Sequence, residues 1–221
     1  MKVIIQCAAS KNAQPSGSGL YSKEKRKMKF VAKTDKAPRD GDFYYAHPDD
    51  LCDGNRTWRS WLQEYNEKES SNPYGLLPAY RLYQNSAYEG LVAKFGVEKV
   101  FILSAGWGLI RANFLTPDYD ITFSNASNVP LYARRRTSDY YDDFYQLPDD
   151  CEEICFLGGK EYQHLFIRLT LGRKGVKRIF YNSQNSPSPV EGYIFERFFT
   201  TRKTNWHYGC ANWLIGAGES C

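Results

Sequence analysis

Four short apolar runs, each followed at once by small or polar residues, constrain this 221-residue chain more than any other feature. They are residues 2–6 (KVIIQ), 100–103 (VFIL), 153–157 (EICFL) and 176–181 (VKRIFY). Apolar runs without alternation predict strands buried on both faces, which requires helices above and below a sheet. Each run is followed by chain that can return as a helix, so the strands are expected to be parallel with their carboxyl ends along one edge. Ligands of open α/β sheets bind beyond that edge. The central run shows the pattern best: Ser104-Ala105-Gly106-Trp107-Gly108 ends it abruptly, and Pro117-Asp118-Tyr119-Asp120 follows with two carboxylates and a phenol.

With 42% hydrophobic and 24% charged residues the chain can bury a core of its own. The expected fold is one α/β domain over 1–221, a three-layer sandwich around a mostly parallel sheet, with a basic loop insertion at about 12–50. Aromatic residues make up 16%, including 17 Tyr and 5 Trp, which suits either a surface that stacks on rings or a densely filled core. A net charge of +4 permits a nucleic-acid partner without demanding one. The start MKVIIQC does not resemble a signal peptide, and no apolar run approaches the ~18 residues of a membrane span. A soluble, cytoplasmic protein is expected. Six cysteines, at 7, 52, 151, 155, 210 and 221, form no CxxC pair, so free thiols and no metal or other cofactor are expected.

Between the strands, residues 55–65 are predicted helical with Asn55 as cap. A second helix is predicted from Leu77-Pro78 to Phe95, closed by Gly96. Further helices are expected within 129–145, over 161–171, over 192–199 and from 204 onward, with a Ser/Asn-rich loop at 124–128. Residues 21–40 carry eight basic residues and read as a loop, either solvated or holding a phosphate backbone. Arg134, Arg135 and Arg136 can clamp phosphates or pair with Asp139, Asp142 and Asp143.

The shared edge would gather Cys7, Ser10 and Lys11 from the first strand, then Trp107, Asp118, Tyr119 and Asp120. It would add Gly158, Gly159 and Lys160, and finally Asn182, Ser186 and Ser188. Cys7, Ser10, Trp107, Tyr119 and Asn182 are candidates to hold a base, with Trp107 or Tyr119 as the stacking plate. Gly159 and Lys160 open a helix and form an anion site from exposed amides plus a cation, to which Ser186, Ser188 and Arg135 can add. Asp120, with Asp118, is the candidate carboxylate to orient water or stabilise an oxocarbenium ion. Lys11 can grip a phosphate or form a Schiff base. These are the parts that cleavage of an N-glycosidic bond in an extruded nucleotide requires.

The residues C-A-A-S-K at 7–11, L-S-A-G-W-G-L at 103–109 and P-D-Y-D at 117–120 resemble the YaaA-like group of bacterial proteins. That group pairs a C-x-x-S-K start with an S-A-x-x-G-L centre and a P-Y-D motif. The resemblance implies a uracil-DNA-glycosylase-like fold and DNA as partner. Pro187-Ser188-Pro189, Tyr193, Phe198 and Lys203-Thr204-Asn205 are similar to the Ser/Pro phosphate-gripping loop of uracil-DNA glycosylases and the segment after that loop. Ser186 stands where that motif has histidine, and the water-activating G-Q-D-P-Y-H is absent, so uracil is not the implied base. The resemblance points to a DNA glycosylase of the phage-defence type, and a monomer is expected. Such an enzyme excises a modified base, such as glucosylated hydroxymethylcytosine, and leaves an abasic site. A non-catalytic DNA-binding or stress protein and a nucleoside or nucleotide N-glycosyl-transfer enzyme are the alternatives.

Overall fold

The computed structural model describes residues 1–39, 41–68, 71–123 and 129–216; the 124–128 loop and Cys221 lie outside these residues. The strands of the two larger sheets are β1 (Lys2–Gln6), β2 (Lys27–Val31), β3 (Phe43–Ala46), β4 (Val100–Ser104), β5 (Gly108–Arg111), β6 (Tyr119–Asp120), β7 (Phe144–Tyr145), β8 (Ile154–Leu157), β9 (Lys177–Tyr181) and β10 (Tyr193–Arg197). The principal helices are α1 (Trp58–Lys68), α2 (Ser86–Phe95), α3 (Lys160–Thr170) and α4 (Trp206–Gly216).

Seven strands form the main sheet in the order β7-β5-β4-β1-β8-β9-β10. From β4 to β10 every neighbouring pair is parallel, so the four apolar runs lie side by side as expected. Val3 sits between Val100 and Cys155 in register, and all three are buried. β5 folds back antiparallel on β4, and β7 runs parallel to β5 along the far edge. Gly108 makes that hairpin possible. Its φ is +88°, and a Cβ there would lie 2.6 Å from the Phe144 amide nitrogen, so only glycine lets β7 close on the turn.

From β1 the chain passes through α2 to β4 on one side, whereas from β8 it passes through α3 to β9 on the other. Right-handed crossovers in opposite directions place α2 and α3 on opposite faces of the sheet. α4 packs on α2. The result is a mostly parallel sheet flanked by helices, consistent with three layers. β1 and β8 are the neighbours at which the direction of winding reverses, and the crevice beyond their carboxyl ends is the place such a fold offers a ligand. Among the described residues no helix is long and apolar enough to cross a membrane.

Several expectations are corrected. The basic segment is not simply a loop: β2 forms a second, parallel sheet in the order β6-β2-β3. Helix α1 begins at Trp58, capped by Thr57, whose Oγ1 accepts from Ser60 N at 3.2 Å, and Asn55 lies in the turn before it. The helix expected over 77–95 is broken. Leu77–Pro78 pairs antiparallel with Leu115–Thr116, one helical turn follows at Ala79–Leu82, and Asn85 caps a new helix by accepting from Ala87 N at 2.9 Å. Tyr83 is extended between them and bridges to Lys11. Residues 129–145 hold no α-helix but a 3-10 turn at Pro130–Tyr132 and the short strand β7; Arg134 and Asp143 pair across the segment, while Asp139 and Arg136 pair with Lys33 and Glu161 outside it. Residues 193–197 form the edge strand β10, where tertiary pairing to β9 overrides the helical reading.

Candidate functional site

The end of β1 is tied to both helical layers. Gln6 Oε1 accepts from Gly159 N at 2.6 Å, across the crevice, and Gln6 O accepts from Tyr88 Oη at 2.8 Å. One residue on, Cys7 Sγ lies 3.2 Å from Tyr162 Oη, which projects from the first turn of α3. Next to it runs a chain of buried hydroxyls. Ser104 Oγ donates to Tyr119 Oη at 2.8 Å, and Tyr119 Oη lies 2.8 Å from Tyr83 Oη. Ser104 ends β4, Tyr119 opens β6 and Tyr83 occupies the break before α2, so this network holds three elements in one arrangement. Burial pushes the phenols of Tyr83, Tyr88, Tyr119 and Tyr162 well above their ordinary range. They therefore remain neutral and act as hydrogen-bonding groups, not as bases.

Asp120 follows Tyr119 and faces outward, with its side chain 33% exposed. Lys29 Nζ of β2 lies 2.6 Å from one carboxylate oxygen and Lys11 Nζ 3.6 Å from the other. Lys11 also sits 4.5 Å from the centroid of the Tyr119 ring and donates to Ala9 O at 3.3 Å. Burial alone would lower the Lys29 pKa, but the hydrogen bond and charge of Asp120 outweigh it and raise it. The site thus presents one accessible carboxylate between two ammonium groups, backed by neutral phenols and a thiol.

Two buried arginines fix the turn on which this arrangement rests. Arg59 donates to Gly106 O and Trp107 O, each at 3.0 Å, and pairs with Asp49. Arg134 donates to Ala105 O at 2.8 Å and forms a two-pronged pair with Asp143 at 2.8 and 2.6 Å. Ser104 Oγ accepts from Gly106 N and Trp107 N. Three consecutive carbonyls and two amides of residues 105–107 are therefore held, and with them the position of Ser104 under Tyr119.

Of the sequence-predicted residues, Cys7, Lys11, Tyr119 and Asp120 come together, and Asp118 lies close enough to act electrostatically on Lys29. Trp107 is corrected: its indole is fully buried, stacked on Phe144 and edge-on to Phe30 at 5.1 Å, and offers no face to a base. Tyr119 is likewise sealed and serves the hydroxyl chain in place of stacking. The Gly159 amide is committed to Gln6, so it is not the free anion donor expected, and Lys160 is exposed. Ser10 is exposed, with its carbonyl accepting from Gln84 N. Asn182 donates to Arg202 O at 3.1 Å, and Ser186 donates to Pro187 O at 3.3 Å, so both side chains are turned to local backbone. Ser188 and Arg135 are exposed; Arg134 pairs with Asp143, as the pairing alternative for that run has it, whereas Arg136 pairs with Glu161, outside the expected aspartates. Lys29, Tyr83, Ser104 and Tyr162 belong to the site but were not singled out for it. Strand alternation in KMKFV marks Lys29 as outward, whereas nothing local marks Tyr83.

No protein-family model and no curated protein matches the chain. The family resemblance accordingly rests on the quoted motifs. Among the described residues no group of three or more His, Cys, Asp or Glu is placed to hold a metal ion.

Proposed function

We propose that the crevice beyond β1, β4 and β8 cleaves an N-glycosidic bond in DNA, releasing a base and leaving an abasic site. The observation that carries this reading is Asp120, an accessible carboxylate between two lysines at the carboxyl edge of a parallel sheet. A carboxylate there stabilises the oxocarbenium ion that forms as the base departs, or orients the attacking water. Lys11 and Lys29 attract the flanking phosphates. The finer elements, a uracil-DNA-glycosylase-like ancestry and a modified cytosine in phage DNA as target, are proposed from the motif resemblance.

The ion pairs also favour a second reading. Two lysines already compensate Asp120, and the same cations serve a protein that only binds DNA. Base release from modified and unmodified phage genomic DNA, read by mass spectrometry of the small-molecule fraction, separates the two. The glycosylase reading expects a free base with wild type and none with Asp120→Asn. Release from no DNA, while the protein still retards DNA on a gel, replaces it with the binding reading.

A further inference from the structure

We infer that the outward face of the three-stranded sheet β6-β2-β3 is a platform for single-stranded DNA that leads to Asp120. This inference takes DNA as partner from the proposed function and adds its strandedness and its path.

Side chains alternate along a strand, and register partners in a parallel pair share a face. Lys27 pairs with Phe43 and Lys29 with Tyr45, so two lysines and two aromatic rings lie on one side of β2 and β3. All four are partly exposed, whereas Met28, Phe30 and Ala46 on the other side are buried. Asp120 pairs in register with Val31, two residues beyond Lys29, and so belongs to the same outward face. The rings of Phe43 and Tyr45 lie 6.1 Å apart, and the Lys29 ammonium sits 5.3 Å from the Phe43 centroid. At the head of β2, Lys23 and Lys25 are exposed; Arg26 and Tyr44, 5.7 Å apart, belong to the other side of the sheet, where Tyr44 is 39% exposed.

The surface therefore combines a run of cations with adjacent rings, ending at the candidate carboxylate. Cations alone suit duplex DNA or any polyanion. Rings interleaved with cations suit unpaired bases, because a base in a duplex offers no free π-face while every unpaired base does. Charge complementarity and the ring pair together point to a single strand whose bases stack on Phe43 and Tyr45. Its phosphates run along Lys23, Lys25 and Lys29, bringing one nucleotide to Asp120.

The test is fluorescence anisotropy with a labelled oligonucleotide of about 12 nucleotides, single-stranded or annealed, with polyglutamate as competitor. Phe43→Ala and Tyr45→Ala are each expected to weaken single-strand binding by about 5- to 150-fold and leave duplex binding unchanged. Phe43→Tyr and Tyr45→Phe, which keep the rings, are expected to retain affinity, and circular dichroism controls for folding. Lys23→Gln and Lys25→Gln should each flatten the dependence of log affinity on log salt by roughly 0.7. Equal affinity for duplex, indifference to loss of both rings, or equal displacement by polyglutamate would each overturn the platform. Base release measured on the same variants keeps the two readings apart. Ring-dependent binding with no base released removes the glycosylase and leaves the platform; base release with ring-independent binding does the reverse.

Discussion

Lys29 and Asp120 meet at 2.6 Å because the strands that carry them lie side by side in register. The contact joins the basic segment near the amino terminus to the P-D-Y-D motif in the centre of the chain. It also places a positive charge from a second, smaller sheet at the carboxyl edge of the main one. Lys11, on the chain leaving β1, completes the arrangement from the other side.

Removing the carboxylate should separate binding from chemistry. Asp120→Asn leaves two lysines without their counter-ion, so DNA binding is expected to tighten while base release falls by about 100-fold or more. Lys29→Met should weaken binding. Anisotropy and a base-release time course measure the two effects. A release rate unchanged in Asp120→Asn would remove Asp120 from the chemistry.

The arginine beneath the turn carries a large structural load. The Asp143 side chain is 2% exposed, and Arg134 supplies both its two-pronged partner and the donor to Ala105 O. Arg134→Met leaves a buried carboxylate with only Arg168 beside it and is expected to cost about 3 kcal/mol in urea unfolding. Arg134→Lys should recover little of this, since a single ammonium cannot reproduce the planar fork. A loss below ~1 kcal/mol would mean that Arg168 alone satisfies Asp143.

Gly108→Ala tests the hairpin that begins this side of the sheet. The added methyl would meet the backbone nitrogen and oxygen of Phe144 at 2.6 and 2.7 Å in a left-handed conformation. A destabilisation of roughly 2 kcal/mol or more is expected, read from the urea midpoint. A neutral effect would show that β7 can move away without cost.

What was legible in the chain was the part set by continuous burial. Four apolar runs became four neighbouring parallel strands because nothing but a doubly covered sheet accommodates them. The small residues after Leu103 and Leu157 marked the edge where Asp120 and Cys7 gather. The remainder depends on partners distant in sequence. Tyr83 sits in a segment whose periodicity continues a helix, yet the polar Gln84-Asn85-Ser86 that follows offers a new cap, and its hydroxyl is drawn to Tyr119. Trp107 looked like a plate at a site because it follows small residues; Phe30, Phe144 and Arg59 enclose it instead. Lys29 seemed one charge among eight in a loop, and only the pairing of β2 with β6 shows which one faces the carboxylate.

His207 gives the fold a specific sensitivity to acid. It is 3% exposed, its ring lies 4.1 Å from that of Tyr208, and its Nε2 has no hydrogen-bond partner among the described residues. Burial pushes its pKa down to about 4. An unfolded histidine takes up its proton near pH 6.5, so between that value and about 4 the unfolded chain binds more protons than the folded one. Stability therefore falls as pH falls through this window, by about 3 kcal/mol at most. Carboxylates such as Asp150, held below their usual range by the hydrogen bond from Lys2, lose their contribution at lower pH. His207→Phe keeps a ring in the same space and removes the titrating group, so its urea midpoint should change less than that of wild type between pH 7 and about pH 4.5. Parallel losses in the two proteins would assign the acid sensitivity to the carboxylates or to His47, whose pKa burial also lowers.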